Sequence, residues 1–244
     1  MKAHKIRFGK RIIRFTLKRT KRKKTVAISV GFNEGVKVKL PCRLATKKVY
    51  PLIKKKAPWI IKHLNEIKEL NYPVIKHEFV SGESFSYLGR HFRLKVKKIE
   101  SAEQPKILMN AGYLEATVNN ALSKYKQVDG VRSALIKWYK KHAIIRLNDR
   151  VSVYARRIGT PRPIVMVRDQ VKRWGSCSKT GILRFNWRII MAPMSIIDYI
   201  VVHELCHIKV KNHSADFWKR VSLVIPDYER RRMWLRNNTA VFRL

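Results

Sequence analysis

Residues 195–213 read SIIDYIVVHELCHIKVKNH, and the reading of this stretch governs the rest of the chain. Ser195 is followed three positions later by Asp198, which is capping-box spacing with Asp in place of the usual Glu or Gln, directly ahead of an apolar run. The pattern predicts a helix from 196 to about 209, with Ile196, Ile197, Ile200 and Val201 supplying the buried side that holds it rigid. His203 and His207 lie four residues apart, so their imidazoles leave one helical face about a turn apart and can reach a single metal ion. Glu204 can stand beside such an ion rather than on it, where it would accept a proton from metal-bound water.

A catalytic zinc site needs a third protein ligand and one open position. His213 follows His207 by six residues, far enough for the helix to end and the chain to turn back, and Ser214 can cap the next helix. Asp227 or Glu229 from a later helix could serve in its place. Three imidazoles favour zinc among the divalent metals, at one ion per chain. Zinc would lower the pKa of its bound water toward about 7 and polarise a scissile carbonyl, with Glu204 as general base. The developing oxyanion needs a further hydrogen-bond donor, for which Tyr228 and Arg173 are candidates.

Upstream of this stretch the chain is expected to be β-rich and basic. TVAISV and VKVKL flank GFNEG, and the alternation of Val36, Val38 and Leu40 with Lys37 and Lys39 predicts a hairpin over residues 25–40. Residues 46–70 have a helical pattern, with Pro51 marking an irregularity and Pro58 suited to a first turn. Strand patterns return over 79–118. Val131, Leu135, Trp138, Tyr139, His142, Ile145 and Leu147 then predict a long helix over about 129–158, ended by Gly159, Pro161 and Pro163. IVMVR and ILRFNWRI are expected strands on either side of RWGSCSKTG, and helices are expected near 214–224 and 227–237. No internal repeat is evident. The expected fold is α+β: a β-rich N-terminal region over 1–125 with helices near 46–70, then a catalytic region over 126–244 with a small sheet and the helix carrying HELCH.

The run from KRWGSC through HELCH and NHSADFW to PDYERRRMWLR (residues 172–236) resembles the YgjP-like metallopeptidase family, a zincin group related to the SprT-like and WLM peptidases. WI at 59–60, YLGR at 87–90 and the Trp138-Tyr139 pair fit the same family, so the resemblance extends over nearly the whole chain. It implies a zincin-like core with zinc on His203, His207 and His213 and Glu204 as general base. It also implies that the segment Arg173 to Cys177 lines the substrate cleft. The spacing to His213 is shared with the metzincin pattern, but Val210 stands where that pattern needs Gly at its turn.

Composition sets the remaining expectations. The 244 residues are 45% hydrophobic, enough for a sizeable core, but 55 Lys and Arg against 16 Asp and Glu leave a formal charge of +39. Such a surface attracts polyanions, with basic runs at 18–24, 54–56 and 230–232. The metal-site pattern and the family resemblance together imply peptidase action on a protein or peptide substrate. The alternative is a nucleic-acid-binding protein, or a protease acting on nucleic-acid-bound proteins, in which the basic surface is the main functional feature. The first fifteen residues contain no continuous apolar segment of signal-peptide type, and Pro193, Asp198, His203 and Glu204 interrupt the most apolar stretch. Three widely spaced cysteines (Cys42, Cys177, Cys206) argue against a disulfide framework, which makes a cytoplasmic protein without a membrane span the expectation.

Overall fold

The computed structural model describes the chain apart from residues 1–2, 10, 22–24, 32–34, 70–76, 101–103, 171–172, 239–241 and 243. Part of the basic run at 18–24 and the centre of the expected hairpin turn lie outside the described residues. The chain divides into two compact units, residues 1–73 and 74–244. Residue 125, near which a soft boundary is expected from sequence, lies inside the second unit.

The first unit has four strands, β1 (Ala3–Phe8), β2 (Arg11–Thr20), β3 (Ala27–Gly31) and β4 (Gly35–Pro41), followed by helices α1 (Val49–Lys55) and α2 (Ala57–Glu69). The strand order is β1-β2-β4-β3, with a central parallel pair flanked by antiparallel neighbours. Alternation dictates the burial. Ile13 and Phe15 of β2 and Val36, Val38 and Leu40 of β4 turn inward onto Val49, Ile53, Ala57 and Ile60. The expected hairpin is β3 paired with β4. The expected helical segment over 46–70 is divided at Lys56, with Pro58 in the first turn of α2.

The second unit repeats that sheet topology, a repetition with no counterpart as a sequence repeat. Its strands β5 (Ser84–Tyr87), β6 (Arg90–Ile99), β7 (Lys106–Asn110) and β8 (Tyr113–Asn119) lie in the order β5-β6-β8-β7, again with a central parallel pair. Helix α3 (Lys124–Ile158) packs on β7 and β8 and ends at Gly159, which takes the left-handed conformation (φ 67°) that a C-terminal cap needs. Its buried residues, from Val131 and Leu135 through Tyr139 to Leu147 and Val151, recur at three and four. The Tyr139 hydroxyl donates to the Ser86 carbonyl at 2.7 Å, which ties α3 to β5. A second, three-stranded sheet follows, formed by β9 (Val165–Arg168), β10 (Gly175–Cys177) and β11 (Leu183–Asn186) in the order β10-β11-β9. A 3-10 turn (Trp187–Met191) leads into α4 (Met194–Lys209), and α5 (Ala215–Val224) and α6 (Tyr228–Asn238) complete the unit. The protein is thus α+β, as expected. No described helix is long and apolar enough to cross a membrane.

α4 is the central helix of the second unit. Ile197, Val201, Val202, Leu205 and Cys206 are fully buried, so packing surrounds most of its circumference. Its start differs from the sequence expectation. The N-cap is Pro193, no side chain caps it, and Asp198 is used sideways rather than as a capping group. The Asp198 carboxylate accepts two hydrogen bonds from Arg150 of α3, at 2.6 and 2.9 Å, a bidentate pair that fixes the register of α4 against α3. Gly89, in the β5–β6 turn (φ 78°), lies so close to the start of α4 that a Cβ there would sit 2.8 Å from the Pro193 Cα.

Because Asp198 is buried and paired, Asp198→Ala would leave a guanidinium partly buried without its partner. The expected loss is about 2–3 kcal/mol, less than for a fully buried pair because Arg150 is partly exposed. Urea unfolding of wild type and variant checks this, and a difference below about 0.5 kcal/mol would show that the pair does not anchor α4.

Candidate metal centre

α4 brings His203 and His207 to one face and ends where Val210 turns extended (φ −126°, ψ 110°). The Val210 N–H still bonds back to the Cys206 carbonyl, and residues 211–213 return the chain so that His213 faces the other two imidazoles. Ser214 occupies the N-cap position of α5 with extended backbone, though its side chain makes no capping bond. The Nε2 atom of His213 lies 3.1 Å from that of His203 and 3.2 Å from that of His207. The nitrogen atoms that all three could offer to a metal lie within 4.8 Å of one another.

This geometry makes a proton count decisive. The Nδ1 of His207 is 2.9 Å from the Val210 carbonyl, which only accepts, so Nδ1 carries the hydrogen and the neutral ring turns an Nε2 lone pair toward His213. His213 Nε2 holds at most one hydrogen and cannot serve both neighbours. With neutral rings, the two close contacts compete for a single His213 hydrogen, whereas a shared cation would accept all three nitrogens at once. Burial holds the His203 imidazole neutral, down to about 3, and the charges of His207 and His213 press the same way. Burial also lowers His207, its bond to Val210 working in the opposite direction. Three converging imidazole nitrogens are a donor set suited to zinc.

Glu204 lies beside the three histidines, 5% exposed. Its Oε2 is buried and has no hydrogen-bond partner among the described residues, and His203 Nδ1 is in the same state. Burial pushes the Glu204 carboxyl up to about 8 against the opposing charge of Arg173. The carboxylate fits only because residue 175 is glycine. A Cβ at Gly175 would stand 2.6 Å from both Cγ and Oε1 of Glu204. The family resemblance implies that the Arg173–Cys177 segment lines the cleft, but the need for glycine at 175 arises from a tertiary contact that no local pattern displays.

The ring of Phe217, fully buried on α5, touches all three imidazoles. It stacks on His207 at 4.4 Å and meets His203 and His213 nearly edge-on at 4.9 Å. An open cavity of about 300 Å³ adjoins His203 and Glu204, lined also by Trp174, Gly175, Tyr199 and Arg232. Tyr199 joins the cavity wall because it lies four residues before His203 on the same helix, a spacing the sequence itself displays. Burial pushes its hydroxyl up to about 12. The two candidate oxyanion donors are placed differently. Arg173 is exposed and close enough for its charge to act on Glu204. Tyr228 stacks on Trp218, and its hydroxyl donates to Glu229 at 3.2 Å. Asp227, the other alternative ligand, is engaged by Arg230 and Arg231. Trp187 is core, fully buried against Tyr139, whereas Trp174 is half-buried at the cavity.

Gly175→Ala forces the buried Glu204 side chain to move. It is expected to destabilise the protein by about 1–3 kcal/mol, measured by chemical denaturation. An unchanged midpoint would mean that the carboxylate has room that the contact distances deny.

The sequence matches the family model described as YgjP-like, metallopeptidase domain, over residues 24–238. Two solved structures are similar over part of the chain. One is the metallopeptidase zymogen abylysin of Pyrococcus abyssi, at 27% identity and a TM-score of 0.33, covering 36% of this chain and 91% of that one. The other is the metallopeptidase zymogen jannalysin of Methanocaldococcus jannaschii, at 21% identity and a TM-score of 0.34, covering 36% and 92%. No curated protein matches.

Proposed function

The chain belongs to the YgjP-like metallopeptidase domain family, and on that footing we propose that it is a zinc-dependent peptidase with His203, His207 and His213 as metal ligands and Glu204 as general base. The chemistry is assigned to residues 126–244, the region expected to be catalytic. The observation that carries the proposal is the convergence of three imidazole nitrogens next to a buried carboxylate oxygen that no protein donor satisfies.

When bound, zinc would lower the pKa of water toward about 7 and polarise the scissile carbonyl. The protein's own part is proton handling and alignment. Val210 fixes the tautomer of His207, and Phe217 holds the three rings in place. Oε2 of Glu204 receives the proton lost by the attacking water and returns it to the leaving amine. Burial raises its pKa and a cation among the histidines would pull it down, two opposing influences on a group that must both take and give a proton. Arg173 is the proposed donor to the oxyanion, with Tyr228 as the second candidate. The substrate is a protein or peptide. The described cysteines are free, which accords with a cytoplasmic setting.

The competing reading is a nucleic-acid-binding protein whose basic surface is the main functional feature. It is favoured by the uneven charge, with 22 Lys and Arg against three Asp and Glu in residues 1–73. The two readings separate on Glu204→Gln. The peptidase reading predicts zinc retained at one per chain and turnover reduced about 10²- to 10⁴-fold on any peptide that the wild type cleaves. His213→Ala is expected to lose zinc, as measured by elemental mass spectrometry, and to lose the rise in thermal midpoint that zinc gives the wild type. Unaltered turnover in Glu204→Gln would reject the mechanism.

A further inference from the structure

Three consecutive arginines lie in the first turn and a half of α6, and they are not equivalent. Arg230 and Arg231 both pair with Asp227, at 3.4 and 2.8 Å, and Arg231 also donates to the Ser195 carbonyl at the start of α4. Arg232 has no carboxylate within ion-pair distance among the described residues. Its guanidinium lies over the ring of Trp218, 4.8 Å from the centroid, and lines the same cavity as His203 and Glu204. Trp218 is itself fixed, stacked on Tyr228 at 5.1 Å and on His213 at 5.7 Å.

A cation–π contact uses none of a guanidinium's N–H donors as hydrogen bonds, and these donors form a fork that matches a carboxylate. Among the described residues lining the cavity, only Glu204 is acidic, and Arg236 stands one turn beyond Arg232 on the same wall. The cavity thus offers a cation held over Trp218 that no described carboxylate pairs with.

We propose that Arg232 is a specificity-determining residue that binds a carboxylate of the substrate, from an acidic side chain or a free C-terminus, in the cavity beside His203 and Glu204. The inference rests on the peptidase reading for the identity of the ligand but not for the existence of the anion site.

The test uses zinc-loaded full-length Glu204→Gln, so that bound peptides are not hydrolysed, and three probes followed by NMR titration. These are N-acetyl-Ala-Ala-Glu amide, N-acetyl-Ala-Ala-Gln amide and N-acetyl-Ala-Ala-Ala with a free carboxylate. At least one acidic probe is expected to bind about 10- to 100-fold more tightly than the Gln amide. Which probe does so tells side-chain from C-terminal recognition. Adding Arg232→Gln should erase the difference, Arg232→Lys should retain part of it, and Arg230→Gln should retain all of it, with zinc content unchanged throughout. The proposal is overturned if neither acidic probe outbinds the amide, if the preference survives Arg232→Gln, or if that variant loses zinc along with the preference. A wild type that cleaves no peptide yet keeps the Arg232-dependent preference would sink the peptidase reading and leave the anion site standing.

Discussion

Three imidazole nitrogens crowd within about one hydrogen-bond length of a common point, where two of them compete for one hydrogen on His213. This frustration is local, but much of the second unit serves to hold it. Burial keeps His203 neutral, the Val210 carbonyl fixes the His207 tautomer, and Phe217 keeps the rings from turning apart. α4 cannot rotate to relieve the crowding because it is packed on most sides, and Arg150 grips Asp198 one turn before His203. Three imidazoles held this close would become mutually favourable ligands if a cation were shared.

Charge placement follows from the same constraint. Glu204 lies buried beside the histidines because Gly175 removes the Cβ that would displace it. Around this buried carboxylate the nearby charges are positive, Arg173 acting on Glu204 and Arg232 on His203. Burial raises the carboxyl pKa of Glu204 while the Arg173 charge opposes it, and positive charge at the site favours anionic groups from outside.

Much of this was legible in the sequence, because helical periodicity acts over four residues and needs no tertiary knowledge. The spacing of His203 and His207 put both on one face, and the six residues to His213 left room for a return. The strand alternation of Val36, Val38 and Leu40 likewise gave the buried face of β4. Contacts between distant segments were not legible. Gly175 matters only because Glu204, 29 residues later, lies against it. Asp198 had the spacing of a capping group, yet the Arg150 guanidinium on another helix claims it. The shared topology of the two four-stranded sheets left no sequence repeat, since many residue sets satisfy one inward-outward alternation.

Zinc K-edge X-ray absorption on the reconstituted protein tests the central claim most directly, because it reads the atoms around the ion. Three imidazole nitrogens at about 2.0–2.1 Å and one further oxygen, with no sulfur shell, are expected. A sulfur shell near about 2.3 Å, drawn from Cys177 or Cys206, or the same spectrum in His213→Ala, would contradict the account.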